Sequence, residues 1–547
     1  MKHLLFALLL IGPSTLTAQH RHSKQLTRAE LMPGLGSINH PVSTKDVDAQ
    51  KFFNQGFAAL YGFNHDEAVR SFKRAAAIDS QLAIAYWGIA LVLGSNYNIA
   101  AERPQLLEAY TNLQRAQALS SHASPPERAY IEALSKRYSG DPQVDQQKLA
   151  ADYKDAMKEL TQRYPDDLDA ATLYAESLMN LRPWRLWAND GSAAEGTDEI
   201  LTVLESVLRR NPNHPGANHY YIHAVEASKN PERALASATR LANLAPTSGH
   251  LVHMPSHIYV RLGDYEKAVQ SNSNALLVDR QYIAKTGTKG VYPMYYLNHN
   301  VHFLCSLHAM QGRFRKAITT AAKLESEAKP HVSGMPMLEM FMPNRLVVLT
   351  RFGRWDLILR TAKPETNLRT TTGFWHFARG MAFCGVKKAA NAEVELAALQ
   401  AVMRDMPADA TFANNSARDV LTVAEKMLMG KIALANRDNK SAFGILAKAA
   451  ADEDNLVYNE PADWDLPVRE LLGATLLLIG DYPEAENVFR AENAKHPRNG
   501  RALFGLAASL RAQGKDSEAH KVQKEFERTW ATADTRLTVA GLAGIQF

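Results

Sequence analysis

The hydrophobic pattern of the chain follows the period of an amphipathic helix. From residue 52 onward, small or apolar side chains stand at Phe52, Gly56, Ala68, Phe72 and Ala75. Spacings of three and four residues place such side chains on one helix face. Strict alternation of apolar and polar residues, which would indicate a half-buried strand, does not persist anywhere in the sequence. The pattern therefore predicts an all-α protein built of paired helices.

The same spacing recurs later in the chain. Small residues of a first and a second helix are twelve positions apart in the pairs Gly56/Ala68, Gly430/Ala442 and Gly473/Ala485. This pattern resembles the tetratricopeptide repeat (TPR) family, whose unit is a helix–turn–helix of about 34 residues. The resemblance implies an α-solenoid, a right-handed superhelix of stacked repeats with a concave groove. Phe72 is expected to fill the space against the next repeat.

The repeat register divides the chain into regions. It can be followed through most of residues 49–530, which predicts a solenoid of about ten to twelve units. An N-terminal extension (19–48) precedes the solenoid and a C-terminal tail (531–547) follows it. Insertions rich in glycine, proline or aromatic residues interrupt the register at 182–199, 285–298 and 329–343. They are too apolar for plain linkers, so we expect them to fold over one face of the solenoid.

Histidines concentrate in three consecutive repeats. If the small residue of each first helix is called position 8, the histidines stand at positions 2, 5 and 9, as His219, His223, His250, His253, His257, His299 and His302. Glu226 stands at position 12. These positions share one stripe of a helix, and the family resemblance implies that the stripe lines the concave groove. We therefore expect all seven imidazoles to face one cavity, with Glu226 at its edge.

Imidazoles in this arrangement indicate a transition-metal site. Histidine is the commonest metal-binding side chain, and two histidines at i and i+4 can bind one ion from one helix. Seven exceed the needs of one tetrahedral ion, so two ions are conceivable, and Zn²⁺ or Cu²⁺ suits such ligands. The scarcity of carboxylates argues against Ca²⁺ or Mg²⁺. Glu226 could be a ligand, a partner that orients a histidine, or a base acting on metal-bound water.

Several further residues are weaker candidates. Glu176 stands at position 9 of the preceding repeat and either extends the groove or is an exposed helix carboxylate. Tyr220 and Tyr259 flank the histidines and could join a polar network that holds no metal. His40 precedes the first helix and could fold back onto the site.

The distribution of charge and the N-terminal residues limit the classes of function that fit the sequence. The 547 residues include 62 basic and 57 acidic side chains, a net charge of +5. The two signs are interspersed, which does not favour nucleic-acid binding. Residues 1–18 read as a cleaved secretory signal peptide, so we expect a periplasmic or secreted protein with no membrane span in the mature chain. Cys305 and Cys384 are expected to be buried, and the sequence leaves open whether they pair.

Three hypotheses of function are compatible with the sequence. The segments HPGANHYYIHAVEAS and GHLVHMPSHIY resemble a group of secreted bacterial TPR proteins, which implies fold and compartment but no activity. The first alternative is a metal-dependent enzyme with histidine-bound zinc or copper. The second is a scaffold that binds a peptide, protein or small molecule in its groove without catalysis. The third is an extracytoplasmic metal-binding or storage protein.

Overall fold

The computed structural model describes residues 29–141 and 143–545. The predicted signal peptide, residues 1–18, lies outside the described residues. The chain is an all-α solenoid in which successive helices pack against one another in pairs. Within the described residues, β-structure is limited to a hairpin of β1 (Thr411–Phe412) and β2 (Asn415–Ser416) and one bridge between Trp187 and Ala193.

The N-terminal half of the solenoid contains thirteen of the α-helices in the described part of the chain. They are α1 (Val47–Tyr61), α2 (His65–Ile78), α3 (Ala83–Leu93), α4 (Arg103–Ala118), α5 (Pro125–Leu134), α6 (Gln146–Arg163), α7 (Leu168–Met179), α8 (Thr197–Arg210), α9 (Pro215–Glu226), α10 (Leu235–Leu244), α11 (Gly249–His253), α12 (Pro255–Arg261) and α13 (Tyr265–Thr286). Short 3₁₀ turns lie at Ser120–His122 and Pro231–Ala234.

The C-terminal half continues after a π-helical turn at Tyr292–Tyr296. Its helices are α14 (Leu297–Met310), α15 (Phe314–Ala328), α16 (Asn344–Arg351), α17 (Trp355–Leu359), α18 (Arg369–Gly385), α19 (Ala389–Arg404), α20 (Ala417–Ala435), α21 (Asn439–Asn455), α22 (Val468–Ile479), α23 (Tyr482–Lys495), α24 (Gly500–Ala512), α25 (Asp516–Thr529) and α26 (Val539–Leu542). Further 3₁₀ turns lie at Lys329–His331 and Pro336–Phe341. No helix of the described residues is long and apolar enough to cross a membrane.

Local sequence signals set the helix ends. The Asp46 carboxylate accepts hydrogen bonds from the backbone N–H groups of Asp48 and Ala49, which caps the start of α1. Asp481 caps α23 in the same way, as expected for an acidic side chain beside unpaired N–H groups. At the end of α22, Gly480 takes a left-handed conformation (φ 84°) that residues with a Cβ rarely adopt.

Glycine and phenylalanine pack together at the repeat interfaces. A Cβ at Gly56 would lie 2.7 Å from the ring of Phe72, and a Cβ at Gly88 would lie 2.8 Å from the same ring. Gly473 faces Phe489 at 2.6 Å in an equivalent contact. Both rings are fully buried. Each phenylalanine therefore fills the space that a missing side chain leaves, as the repeat spacing predicts.

The first repeat folds back onto the middle of the chain. The ring of Tyr61 lies 2.3 Å from the position that a Cβ on Gly216 would take, so α1 packs directly on the start of α9. Arg70 of α2 donates a hydrogen bond to the hydroxyl of Tyr282 at 2.7 Å. The N-terminal end of the solenoid therefore covers one side of the histidine-bearing helices.

The last repeats close onto the middle of the chain from the other side. The hydroxyl of Tyr265 donates to the backbone carbonyl of Pro497 at 2.9 Å. Arg313 donates to Thr532 at 2.6 Å, and the backbone N–H of Phe314 donates to Asp534 at 2.7 Å. Helices α9, α11, α12 and α14 are thus enclosed between the two ends of the superhelix.

The two cysteines are both buried and both free, so they form no disulfide. Burial raises the pKa of the Cys384 thiol to about 11, and it raises the pKa of the Cys305 thiol further. Both thiols are therefore protonated near neutral pH and act as small apolar side chains.

Gly473→Leu is expected to destabilise the protein by about 1–3 kcal/mol, because the new side chain has to displace Phe489 from a close-packed interface. Gly444→Leu is the matched control, since Gly444 also lies within a helix but no atom comes within 4 Å of its added Cβ. Chemical denaturation followed by circular dichroism measures both variants. Equal stability of the two variants would contradict the assigned repeat interface.

Candidate metal centre

Six of the seven predicted histidines come together in two clusters among the described residues. Cluster A consists of His219, His223 and His250, and cluster B consists of His253, His257 and His299. Within each cluster, one nitrogen of every ring lies within 4.8 Å of the corresponding nitrogens of the other two. His299 is partly buried and the other five are buried. The clusters adjoin one another, with the ring centroids of His223 and His257 5.5 Å apart.

Neighbouring repeats supply the six rings. Helix α9 carries His219 and His223, α11 carries His250 and His253, α12 carries His257, and α14 carries His299. Pro255 begins α12, but the preceding Met254 keeps helical backbone angles (φ −51°, ψ −34°). The i,i+4 relation of His253 and His257 therefore survives the break between α11 and α12.

Hydrogen bonds fix the proton positions in cluster A. The Nδ1–H of His219 donates to the backbone carbonyl of Tyr61 at 2.7 Å, and the Nδ1–H of His223 donates to Oε1 of Glu226 at 2.7 Å. These acceptors have no proton to give, so the Nε2 atoms carry the lone pairs. Nε2 of His219 lies 3.1 Å from Nε2 of His250. Nε2 of His223 is buried and has no hydrogen-bond partner among the described residues.

Cluster B shows the same arrangement. The Nδ1–H of His253 donates to Oδ1 of Asn272 at 2.7 Å, and the amide of Asn272 is oriented by donating to the carbonyl of Ala268. The Nδ1–H of His257 donates to Oε2 of Glu226 at 2.5 Å. The Nε2 atoms of His253 and His257 face each other 2.9 Å apart, and if both rings are neutral each presents a lone pair to the other. Two lone pairs at this distance repel, unless a metal ion binds beside them or one ring takes up a second proton and donates it to the other.

Glu226 connects the two clusters. Its Oε1 accepts from His223 of cluster A and its Oε2 accepts from His257 of cluster B. Burial by itself favours the neutral acid, but the hydrogen bonds and charge of His257 and His223 outweigh it and lower the pKa of Glu226 to about 2. Glu226 is therefore an ionised, fully buried carboxylate that orients one histidine of each cluster.

Five of the six cluster imidazoles are held in their neutral form. Burial lowers the pKa of His223, and it lowers the pKa values of four further rings well below their ordinary range, those of His219, His250, His253 and His299. Neighbouring imidazoles add to this effect because two charged rings would repel. Neutral imidazole is the form that binds a metal.

A cavity of about 120 Å³ adjoins the clusters. Four cluster histidines form part of its wall, namely His223, His250, His257 and His299. All three predicted insertions contribute to the wall, through Trp184, Tyr295, Tyr296, Pro336, Met337, Glu339 and Met340. The histidine stripe thus lies on the concave side of the solenoid, where loops cover it instead of leaving an open groove.

Parts of the cavity wall were not predicted from the sequence. They are Asn98, the hairpin residues Thr411–Asn414, and Asn459. Next to this wall, the hydroxyl of Tyr458 lies 3.4 Å from Oε2 of Glu226 and 3.1 Å from Glu460. These segments lie far from the histidines in sequence and have no repeat register of their own, so no pattern indicated where they pack.

His302 is a correction to the sequence-based expectation. It lies outside both clusters, where its ring contacts Phe341 at 5.7 Å and lines a separate small cavity. His299 of α14 faces His253. His302 follows three residues later on the same helix, and the rotation over these three residues directs its side chain away from the clusters. Burial lowers the pKa of His302 to about 4.

The three weaker groove candidates do not line the cavity among the described residues. Glu176 is buried and accepts a hydrogen bond from Asn180 of the same helix, so it is not an exposed carboxylate. Tyr220 belongs to the core and packs edge-on against Tyr61. Tyr259 lies beneath the ammonium group of Lys267 at 5.6 Å. The positions of these three residues on their helices therefore direct their side chains away from the cavity that the histidines line.

His40 folds back onto the first repeats but does not reach the two clusters. Its Nδ1–H donates to Asp169 at 2.8 Å, and the same carboxylate accepts from the hydroxyl of Tyr61 and from Nε2 of His214. Hydrogen bonds from His214 and His40 lower the pKa of Asp169 despite its burial. Because Tyr61 also holds His219 through its carbonyl, this network supports cluster A from behind.

No model of a known protein family matches the chain, and no curated protein sequence matches it. Solved structures with a similar course of the chain include human IFIT1 in a complex with m7Gppp-AAAA, at 13% identity and a TM-score of 0.35, covering 89% of this chain and 91% of that chain. Yeast Tom70 is similar at 11% identity and a TM-score of 0.29, covering 88% and 93%. At these scores, the assignment of an α-solenoid rests on the helix pairing of the chain itself.

Proposed function

We propose that this chain is a metal-binding solenoid that holds two transition-metal ions, copper or zinc, one in each histidine cluster. The observation that carries the proposal is the pair of Nε2–Nε2 approaches, 2.9 Å in cluster B and 3.1 Å in cluster A. Three of these four rings donate Nδ1–H to an acceptor: His253 to Asn272, His257 to Glu226 and His219 to the backbone carbonyl of Tyr61. A soft or borderline cation that accepts nitrogen lone pairs would relieve the contact in cluster B and would bind the free lone pair of His219 in cluster A.

The number of ligands favours catalysis over storage. Three protein ligands per ion is the pattern of zinc sites that keep one position for water or substrate. Four of the six imidazoles line a cavity of about 120 Å³, so the free position of each ion would face a space that admits a small molecule. A bound ion there would polarise that molecule or a water, or exchange electrons with it if the ion is copper.

Glu226 supports the ions without binding them. Both of its oxygens accept hydrogen bonds from histidine Nδ1–H groups. Such carboxylate–histidine–metal arrangements fix the tautomer and raise the basicity of the ligand. Of the three roles open to this residue, orientation of two ligands fits the contacts best.

A scaffold that binds a long peptide is the less favoured alternative. Trp184 stacks on Tyr458 above the clusters with ring centroids 6.5 Å apart, and Tyr295 and Tyr296 cover them from another side. The enclosed space suits a small molecule better than an extended chain. An extracytoplasmic location is part of the proposal and is supported by the signal-peptide pattern of residues 1–18.

Removing two ligands of one cluster should remove one ion. We expect about two ions per chain in the wild type and about one in His253→Ala/His257→Ala or in His219→Ala/His250→Ala. Elemental analysis after purification without chelator and titration with Zn²⁺ and Cu²⁺ measure this number, while circular dichroism checks the helix content. His520→Ala on the exposed face of α25 and His302→Ala are the controls. Equal metal content in all variants would refute the site.

Glu226→Gln should weaken metal binding by about 10- to 100-fold, because the amide cannot accept from two Nδ1–H groups and one ring must change its tautomer. Glu395→Gln is a matched control, since Glu395 also accepts from a histidine, His376, at 2.7 Å but lies outside both clusters. Isothermal titration compares the two variants. The orienting role is wrong if both lose affinity equally or neither does.

The lowered pKa values predict how many protons a metal displaces. At about pH 6, six histidines of ordinary pKa would give up about four or five protons on binding two ions. Because burial lowers the folded-state pKa of most of these rings, they are already neutral at this pH and we expect the release of about one proton or fewer. Affinity should then fall only well below pH 6.5. Calorimetry in buffers of different ionisation enthalpy counts the protons, and a release near four would contradict the buried, neutral ligand set.

A further inference from the structure

A second cavity lies in the C-terminal half, apart from the histidine clusters. Its volume is about 40 Å³. Helices α16, α18, α20, α22 and α24 supply most of its wall, and the tail around α26 covers it through Gly541, Leu542 and Gly544. It shares no described residue with the cavity beside the histidines. We call it the tail cavity.

Two arginines of the tail cavity share one carboxylate. Oε1 of Glu470 accepts from Nη2 of Arg351 at 2.7 Å and from the Asn499 amide at 2.9 Å. Oε2 of Glu470 accepts from Nε of Arg501 at 2.6 Å. Glu470 is the one acidic side chain among the described residues that line this cavity. Within this wall its single charge balances one of the two guanidinium groups, and the other acid that interacts with Arg351 is Asp465, outside the wall.

Hydrogen-bond donors at the cavity wall lack acceptors. Nε and Nη1 of Arg351 are buried and have no hydrogen-bond partner in the described part of the chain, and the same holds for Nε1 of Trp355. Arg351 is 5% exposed and Trp355 is 1% exposed. An unpaired buried donor destabilises the folded state, and a charged one does so more strongly. Three such donors at one small cavity indicate an acceptor that binds there.

Nearby charges agree with an anionic ligand. Lys431 extends behind the tail, where its ammonium group donates to the carbonyl of Ala543. Asp465 is a further acid near Arg351, but it lines another cavity and accepts from the hydroxyl of Ser306 at 3.0 Å. Burial lowers the pKa of Arg501, and the charge of Arg351 adds to this although Glu470 opposes it.

Most of the remaining wall is apolar, which restricts the kind of anion that fits. It consists of Met381, Met427, Leu466, Pro467, Leu471 and Leu542, together with Thr350, whose buried hydroxyl has no hydrogen-bond partner among the described residues. A water needs about 10–15 Å³ of such space, so the tail cavity has room for a few heavy atoms. Apolar walls around charged donors suit a ligand that has one charged end and one aliphatic end.

We propose that the tail cavity binds a short-chain aliphatic carboxylate of the size of acetate or propionate. Its oxygens accept from the free N–H groups of Arg351 and from the indole N–H of Trp355. Its alkyl group packs against Met381, Met427 and Leu471. The site is independent of the metal clusters, and no covalent step is involved.

The test uses the full chain and measures thermal unfolding and isothermal titration with acetate, propionate, chloride and sulfate at equal ionic strength. Acetate and propionate should raise the melting temperature in a saturable way and give a measurable Kd. Chloride and sulfate should give no saturable shift. If no carboxylate binds, or if chloride stabilises as much as propionate, the proposal is overturned.

Variants locate the binding. Trp355→Phe keeps a ring but removes the indole donor, so carboxylate affinity should fall by at least about fivefold, the loss of one hydrogen bond to a charged group. Trp375→Phe is the matched control, because the indole of Trp375 donates to Thr361 and lies outside the cavity. The Arg351→Lys variant should no longer bind carboxylate. If that variant does not fold, the affinity of Trp355→Phe tests the proposed site. Unchanged affinity in Trp355→Phe would refute the assigned position.

Discussion

The central interaction of this structure is made by one buried carboxylate, which connects the two histidine clusters. Glu226 accepts a hydrogen bond from a histidine of each cluster, at 2.7 and 2.5 Å, and it has no exposed surface to share with water. By accepting hydrogen bonds from both Nδ1–H groups, it favours the tautomers of His223 and His257 that direct Nε2 to the interior. The repeats that carry the two clusters are thereby locked to one another. The closeness of the two clusters follows from this contact.

Closure of the superhelix makes that arrangement possible. A histidine stripe on an open groove would meet water, and its pKa values would stay ordinary. Here Tyr61 brings the first repeat against His219, and Tyr458 brings a C-terminal loop against Glu226. Burial then keeps the imidazoles neutral. Long-range packing thus brings common side chains together in a buried arrangement that suits the proposed metal ligands.

Each half of the solenoid contains a small cavity lined by buried polar groups, with electron-pair donors in one half and N–H donors in the other. In the middle of the chain, imidazole nitrogens face a cavity and suit the proposed cations. In the C-terminal half, N–H groups of Arg351 and Trp355 face a cavity and call for an anion. At both sites the side chains of several helices meet around a small cavity.

Sequence periodicity by itself determined the helix pairing and the register, since the contacts of Gly56 and Gly473 with Phe72 and Phe489 are local to one repeat and its neighbour. The register also predicted that His219, His223, His253 and His257 share a face, because residues four apart on a helix do so. Only the tertiary structure decided that these rings are buried, that His302 points elsewhere, and that Asn98 and Asn459 reach the same cavity. Those outcomes depend on how far the superhelix curls and which distant loops then meet, and contacts between residues hundreds of positions apart leave no periodic trace in the sequence.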